Sequence, residues 1–478
     1  MKISSRFALF VSTLVLCLNT VPLFASTQIT IKAIGSNAEK VYIISSGMIS
    51  GRDTLAKTNL NAVGNAEFTL RLTTPVFAFI RIGKKSEKVY LQPNTNTEIN
   101  VDLKKEHRIF VYRGKTAEVN NYLAQSSQIV TDHLIINGKY INEFEPEEFA
   151  VRLDSMDKAL AYFHRKYMAK TSLSGEMQDF LRISARMYPL SLKQNYSTAR
   201  FYTPTEKVAV PPALQKVFGE VPFNDALLLA KDEAYATVLL YYLTDITYQI
   251  YYNILPEERK NSIILLPKLK DAAIKKGTYS PAVKEFLLAQ NVYEAFDYGI
   301  NEVATSLYNE FMTGYPSSFY LSSIDKRYRK WLTLSKGTLA PNFVGITPDG
   351  QKLSLNDLKG KVVYTDIWAT WCGPCREELP KSKEIQKQFS QNDKVVFLYV
   401  SIDTDTESWK KFLKSDPAFV GTHINISNSD QVSNLYKTYQ MVGVPTYLLI
   451  DQEGKISAAP APRPSSGKVE NEIKALLK

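Results

Sequence analysis

The spacing of apolar residues changes twice along this chain, and each change limits what the following segment can fold into. Between residues 26 and 115, the runs 67–72 (EFTLRL), 76–82 (VFAFIRI), 88–91 and 98–103 (EINVDL) alternate apolar with polar side chains. A period of two fits half-buried strands. Gly64 with Asn65, and Gln92, Pro93 and Asn94, supply turn residues between them. This stretch is expected to form a small N-terminal antiparallel β-sandwich-like module.

From residue 116 to 335 the apolar spacing becomes helical, and 147–170, 174–187 and 281–311 read as amphipathic helices. Pro204, Pro211, Pro212 and Pro222 mark connections where helices stop. The run 234–253 (AYATVLLYYLTDITYQIYYN) is rich in Tyr and Leu. Asp245 and Gln249 lie inside it and Lys231, Asp232 and Glu233 border it, so a core helix is expected rather than a membrane span. An all-α middle domain follows, with no chemistry-bearing motif.

Beyond residue 335, strands and helices alternate, which implies an α/β sheet. Asp349 and Gly350 form a tight-turn pair. Strands are expected at 361–368, 395–402, 446–451 and 455–459, and helices at 372–389, 407–414, 431–440 and 468–477. The chain of 478 residues is thus expected to be multidomain, with units at 1–25, 26–115, 116–335 and 336–478.

Lys2 and Arg6 precede the apolar run 7–18, and Leu23, Phe24 and Ala25 provide a small-residue exit. That pattern describes a secretory signal peptide over 1–25 and an exported protein of the periplasm or cell envelope. The run is short for a bilayer-spanning helix. Lipid attachment at Cys17 would want a small residue before it, where Leu16 stands. A cleaved signal is the main expectation, and membrane anchoring through this segment the alternative. Losing Lys2 and Arg6 lowers the formal charge from +10 to +8. No long Lys/Arg block accompanies it, so the basic balance reads as a solvated surface, with no nucleic-acid partner.

Of three cysteines, Cys17 lies in the signal, leaving Cys372 and Cys375 for the mature chain. Disulfides persist in an oxidising compartment, but this pair closes too small a loop to staple a domain. The spacing suits a reactive pair. Cys372 stands where a buried strand turns into a helix, so unpaired backbone N–H groups stabilise its thiolate. Cys375 comes nearly one turn later, placed to attack a mixed disulfide at Cys372. Zinc needs four ligands; there is no second CxxC, and three of the four histidines (His107, His133, His164) lie in other units. No metal and no cofactor is expected.

The stretch 366–375 (DIWATWCGPC) resembles the thioredoxin active site. With 337–343 (GTLAPNF), 358–363 (LKGKVV) and 442–446 (VGVPT), the resemblance narrows to TlpA/ResA-like thiol–disulfide oxidoreductases of bacterial envelopes. It covers about the last 140 residues and implies a C-terminal α/β thioredoxin fold. More loosely, 89–93 and 112–122 (YRGKTAEVNNY) resemble the β-rich module preceding such domains in some envelope proteins.

The resemblance implies that Cys372 attacks and Cys375 resolves. Gly373 and Pro374 form the dipeptide associated with reductants. Pro445 matches the cis-proline facing the pair; with Val444, Trp371, Gly373 and Pro374 it would make the substrate-binding surface, where an extended chain can pair. Trp368 is expected to be core packing. Asp366 interrupts an apolar strand and matches the buried aspartate of thioredoxins, whose raised pKa suits a proton acceptor. Glu378 matches the active-site glutamate of ResA-like members. Having both carboxylates departs from ResA-like patterns; Asp366 is the expected main acceptor, because a strand residue is less water-screened than one on a charged helix.

The expected partners are disulfide-containing envelope proteins, apocytochrome c among them, with a membrane thiol electron donor. Two other readings stay open. A thiol peroxidase would carry threonine three residues before its cysteine, where Ala369 stands. Alternatively, the first two units form an envelope binding module with an accessory redox domain.

Overall fold

The computed structural model describes residues 26–477, apart from 36–38, 47, 50–53, 105–109, 137–138, 202–222, 224 and 255–261. The expected signal at 1–25, with Cys17, and the connections at Pro204, Pro211, Pro212 and Pro222 lie outside the described residues. So does His107.

Eight strands come first: β1 (Ser26–Ile34), β2 (Lys40–Ser45), β3 (Thr54–Asn59), β4 (Asn65–Arg71), β5 (Val76–Ile82), β6 (Lys85–Leu91), β7 (Asn96–Asp102) and β8 (Phe110–Gly114). They make two four-stranded sheets, ordered β4-β1-β7-β8 and β3-β2-β5-β6. One core joins them, with Ile29, Ile31 and Ile99 from the first sheet and Val41, Ile43 and Ile80 from the second. The strands were expected to be antiparallel throughout; β1 and β7 instead run parallel, with Gln28 opposite Asn96. Strands joined by a hairpin must be antiparallel, as β5 and β6 are. Between β1 and β7 the chain crosses through the second sheet, which frees their relative direction.

Helix α1 (Ala117–Leu134) closes this region. Strands β6 and β8 are edges, one in each sheet, and consecutive asparagines of α1 serve them. Asn120 accepts from Tyr90 N at 2.7 Å and donates to Tyr90 O at 3.0 Å. Asn121 does the same with Tyr112 N and O, both at 2.9 Å. Each side-chain amide takes the place of a neighbouring strand, so neither edge is left with those groups unpaired.

A short ladder of β9 (Ile135–Ile136) and β10 (Lys139–Tyr140) follows, the one departure from an all-α middle among the described residues. Next come α2 (Pro146–Met168), α3 (Gly175–Phe201), α4 (Asp225–Leu229), α5 (Glu233–Tyr252), α6 (Ser262–Lys276), α7 (Pro281–Ala295), α8 (Glu302–Gly314) and α9 (Leu321–Leu332). Helix α3 runs well past the expected end, through Pro189. Buried Met187 and Tyr196 on either side hold it where local preference would break it. The single helix expected over 281–311 is two. Gly299, at φ +83°, ends the turn after α7, and the Asn301 side chain caps α8 by accepting from Val303 N and Ala304 N, both at 3.0 Å. Helix α5 is a core helix, with Tyr235, Leu239 and Leu243 buried, and no described helix is long and apolar enough to cross a membrane.

The last region holds β11 (Val344–Ile346), β12 (Lys352–Ser354), β13 (Val362–Trp368), α10 (Gly373–Gln388), β14 (Val395–Ser401), α11 (Thr406–Ser415), β15 (Thr422–Asn425), α12 (Ser429–Thr438), β16 (Thr446–Ile450), β17 (Ile456–Ala458) and α13 (Val469–Leu476). Its seven strands form one sheet, ordered β12-β11-β15-β14-β13-β16-β17. Strand β13 is parallel to β14 and antiparallel to β16, and all seven of its residues are buried. Central strands covered on both faces read as continuous apolar runs, which leaves Asp366 as the one charged residue of β13.

Candidate redox site

Helix α10 starts immediately after Cys372, which serves as its N-cap: the Sγ accepts from Cys375 N at 3.1 Å. Partial positive charge at a helix N-terminus favours a thiolate there. Cys372 and Cys375 are joined in a disulfide, with Cα atoms 5.3 Å apart, and are 4% and 1% exposed. Gly373 and Pro374 between them are exposed.

The loop from β13 to Cys372 is pinned by a residue that sequence reasoning missed. Buried Asp403 accepts from Thr370 N at 3.0 Å and Thr370 Oγ1 at 2.7 Å, and from Ser401 Oγ at 2.8 Å. The carboxylate there holds Thr370 against the end of β14. Its only sequence signal was a polar residue just past a buried strand.

The peptide bond between Val444 and Pro445 is cis, as the resemblance implied. Val444 O lies 3.6 Å from Cys372 Sγ. A disulfide sulfur carries no proton, so this is a contact and not a hydrogen bond. Trp371 is 67% exposed and Val442 59%, so the rim of the site is apolar. Trp368, by contrast, is fully buried and packs on Phe412 and Phe419.

On the sheet side of α10, Cys375, Glu378, Leu379 and Ser382 are buried. Asp366 is paired in register with Tyr399 on β14 and Tyr447 on β16, so the three side chains share one face of the sheet. Tyr399 Oη lies 2.9 Å from Ser382 Oγ of α10, which identifies this as the face beneath the helix. Both oxygens of Asp366 are without a hydrogen-bond partner among the described residues. Burial holds its pKa well above the usual carboxylate range, and the charge of Glu378 adds to the effect. Burial thus opposes the charged form of Asp366 on the sheet face beneath the redox helix.

Glu378 is placed differently from the expectation that a charged helix would leave it screened by water. Arg376 and Glu377 are exposed, but Glu378 is only 7% exposed. Its carboxylate accepts from Ser465 N at 2.9 Å and Ser465 Oγ at 2.8 Å. Helical spacing puts it on the buried face one turn past Cys375, but nothing in the sequence pointed to Ser465, 87 positions away.

No group of acidic, histidine or cysteine side chains able to hold a metal exists among the described residues. His423 stacks on Tyr399, its Nε2 lies 2.9 Å from Phe419 O, and burial lowers its pKa to about 4.

A cysteine pair at a helix N-terminus, a cis-proline beside it and a buried acid behind it define a thioredoxin-like redox site. The family description Redoxin matches residues 335–477. Thiol-disulfide oxidoreductase ResA of Bacillus thuringiensis subsp. konkukian is 33% identical over 120 residues, covering 25% of this chain and 66% of that protein. Thioredoxin-like protein YneN of Bacillus subtilis is 33% identical over 129 residues, covering 27% of this chain and 72% of that protein. Among solved structures, the thioredoxin domain of a thiol-disulfide oxidoreductase from Bacteroides vulgatus is 32% identical, covers 30% of this chain and 99% of that chain, and has a TM-score of 0.28. Through its C-terminal third, the chain belongs to the TlpA/ResA-like thioredoxin-fold thiol–disulfide oxidoreductases. Residues 26–334 have no counterpart in the family match.

Proposed function

We propose that this protein is an exported thiol–disulfide oxidoreductase that reduces accessible disulfides of cell-envelope proteins. The observation that carries the reading is the Cys372–Cys375 disulfide at the α10 N-terminus, backed by a protonated, otherwise unpartnered Asp366. In the reduced protein, the Cys372 thiolate attacks a substrate disulfide. A bond forms from Cys372 Sγ to one substrate sulfur, and the other substrate sulfur leaves as a thiolate. Cys375 then gives its proton to the Asp366 carboxylate and attacks Cys372 Sγ, expelling the second substrate sulfur. Two electrons have passed to the substrate, and the enzyme is left as the Cys372–Cys375 disulfide with the proton on Asp366. Regeneration runs these steps backwards with a thiol donor, for which a membrane electron carrier is the proposed source. Trp371, Val444 and Pro445 form the surface against which an extended substrate segment pairs.

The N-terminal 25 residues support export, and a disulfide-bearing envelope protein such as apocytochrome c fits the substrate class. The peroxidase reading is weakened by Ala369 at the threonine position. A ligand-binding role for the preceding regions has one observation in its favour. A cavity of about 540 Å3 lies between the β-region and the helices, lined by Phe77, Glu87, Leu123, Ser184 and Tyr188.

The test is dithiol-coupled reduction of insulin by the full mature chain. Cys372→Ser should abolish it, and Cys375→Ser should accumulate mixed disulfides with envelope proteins. Retained activity in Cys372→Ser would end the reading.

A further inference from the structure

The segment from Ala459 to Ser466 touches the helical region at one end and the redox helix at the other. At its start, Pro460 sits on Gly299, the residue between α7 and α8. A Cβ at Gly299 would lie 2.9 Å from Pro460 Cδ, 3.4 Å from Ala459 O and 3.7 Å from Trp331 Cζ3 of α9. Trp331 is buried at 4% exposure, so this is a packed contact and not a grazing one. In the middle, Ala461 N donates to Tyr447 O at 2.7 Å and Tyr364 Oη donates to Pro462 O at 2.7 Å. At the end, Pro464 is buried and a single turn over Pro464–Ser466 presents Ser465 N and Oγ to the two oxygens of Glu378. The covalent run 460–465 thus joins the close approach at Gly299 to the hydrogen bonds on Glu378.

We propose that Ser465 is a positioning residue for the redox pair, holding Glu378 on the sheet side of α10, and that the segment 459–466 transmits this placement from the helical region. The proposal rests on the dithiol–disulfide exchange described above and gives the helical region a part in it. Glu378 lies one turn past Cys375, where its charge acts on Asp366, Tyr364 and Tyr447. The groups it acts on are Asp366 and Tyr364 from β13 and Tyr447 from β16; Tyr399 from β14 and Arg463 on the segment itself also act on Tyr447. With Glu378 held in place, Asp366 keeps its proton and can give it to the Cys375 thiolate that leaves when the disulfide is reduced. If Glu378 swings out to water, Asp366 ionises at lower pH and that thiolate loses its proton donor.

The experiment measures reduction of the Cys372–Cys375 disulfide by dithiothreitol across pH in the full chain, with rates taken as a ratio to wild type so that the reagent's own ionisation cancels. Ser465→Ala should slow reduction by about threefold or more at neutral pH and move the acid-dependent limb down by about half a unit. Ser465→Thr, which keeps the hydroxyl, should restore both. Gly299→Ala crowds Pro460 and should shift the limb in the same direction. The double variant should be no worse than the more severe single, because both act on one contact series. Should Gly299→Ala fail to fold by thermal melt, Trp331→Phe removes the ring edge without adding volume and takes its place. A Ser465→Ala profile matching wild type, or strictly additive singles, would overturn the proposal. If Cys372→Ser still exchanges disulfides, the functional reading itself has failed. If Cys372→Ser is inactive while Ser465→Ala is normal, only the positioning role has.

Discussion

Asp366 shows what one residue can do when the surrounding fold withholds every partner. Its carboxyl is buried among tyrosines, with no donor to support the charged form. General acid–base groups contribute about 10²–10⁴-fold when well placed, and a thiol already near its own pKa needs less help. Asp366→Asn should slow resolution of the mixed disulfide by roughly 10–100-fold near pH 7, read by stopped-flow with a disulfide peptide. Stability should respond in the opposite sense. Below about pH 4 the carboxyl is protonated in both folded and unfolded chains and contributes no difference. As pH rises, the unfolded chain ionises and the fold does not, so wild-type stability falls until the folded pKa is passed. The melting temperature of oxidised Asp366→Asn should therefore gain on wild type steadily from about pH 4 upward, and a constant difference would refute the buried-acid assignment.

Among the elements, α1 illustrates how a helix can finish two sheets at once. Asn120 is fully buried and satisfies both backbone groups of Tyr90, while half-buried Asn121 does the same for Tyr112. An unpaired buried polar group costs about 1–3 kcal/mol. Asn120→Ala strands two such groups and should destabilise the β-region by about 2–4 kcal/mol, with loss of hydrogen-exchange protection at the Tyr90 amide. Asn121→Ala should cost less, since water can reach the half-buried position that the side chain vacates. Undiminished protection at Tyr90 in Asn120→Ala would show that the edge has another partner. Both asparagines lay in a segment recognisable from the sequence, 112–122, but pairing with a distant strand edge has no local signature. The break between α7 and α8 is the reverse case. Gly299 and Asn301 are ordinary stop and start residues, legible in principle, but the apolar spacing ran through them without interruption.

Across the whole molecule, the three textures of the sequence do not pack as separate bodies. One hydrophobic cluster runs from Phe77 and Tyr90 of the β-region through the helices to Trp368, Cys372 and Cys375 of the redox site. Asp232 ties two of these regions together. It is fully buried, caps α5 through Ala234 N and Tyr235 N, accepts from Ser184 Oγ at 2.6 Å, and pairs with Lys88 Nζ of β6 at 2.8 Å. Removing one member of a buried pair leaves the other charge uncompensated, at a cost of about 3–5 kcal/mol. Asp232→Ala should lower the denaturation midpoint accordingly, and Lys88→Met with Asp232→Ala should recover part of the loss. No recovery in the double variant would assign the cost to the helix cap alone.

The sequence by itself determined the order of strand, helix and alternating regions, the reactive cysteine pair, and the proline and aspartate behind it. Those signals are periodicities and short motifs, which depend on near neighbours in the chain. The parallel pairing of β1 with β7, the two asparagine edge clamps, the burial of Glu378 and its hold by Ser465 were decided only in the tertiary structure. Each depends on residues many positions apart meeting at a geometry that the packing of whole sheets and helices creates, and no local pattern encodes that meeting.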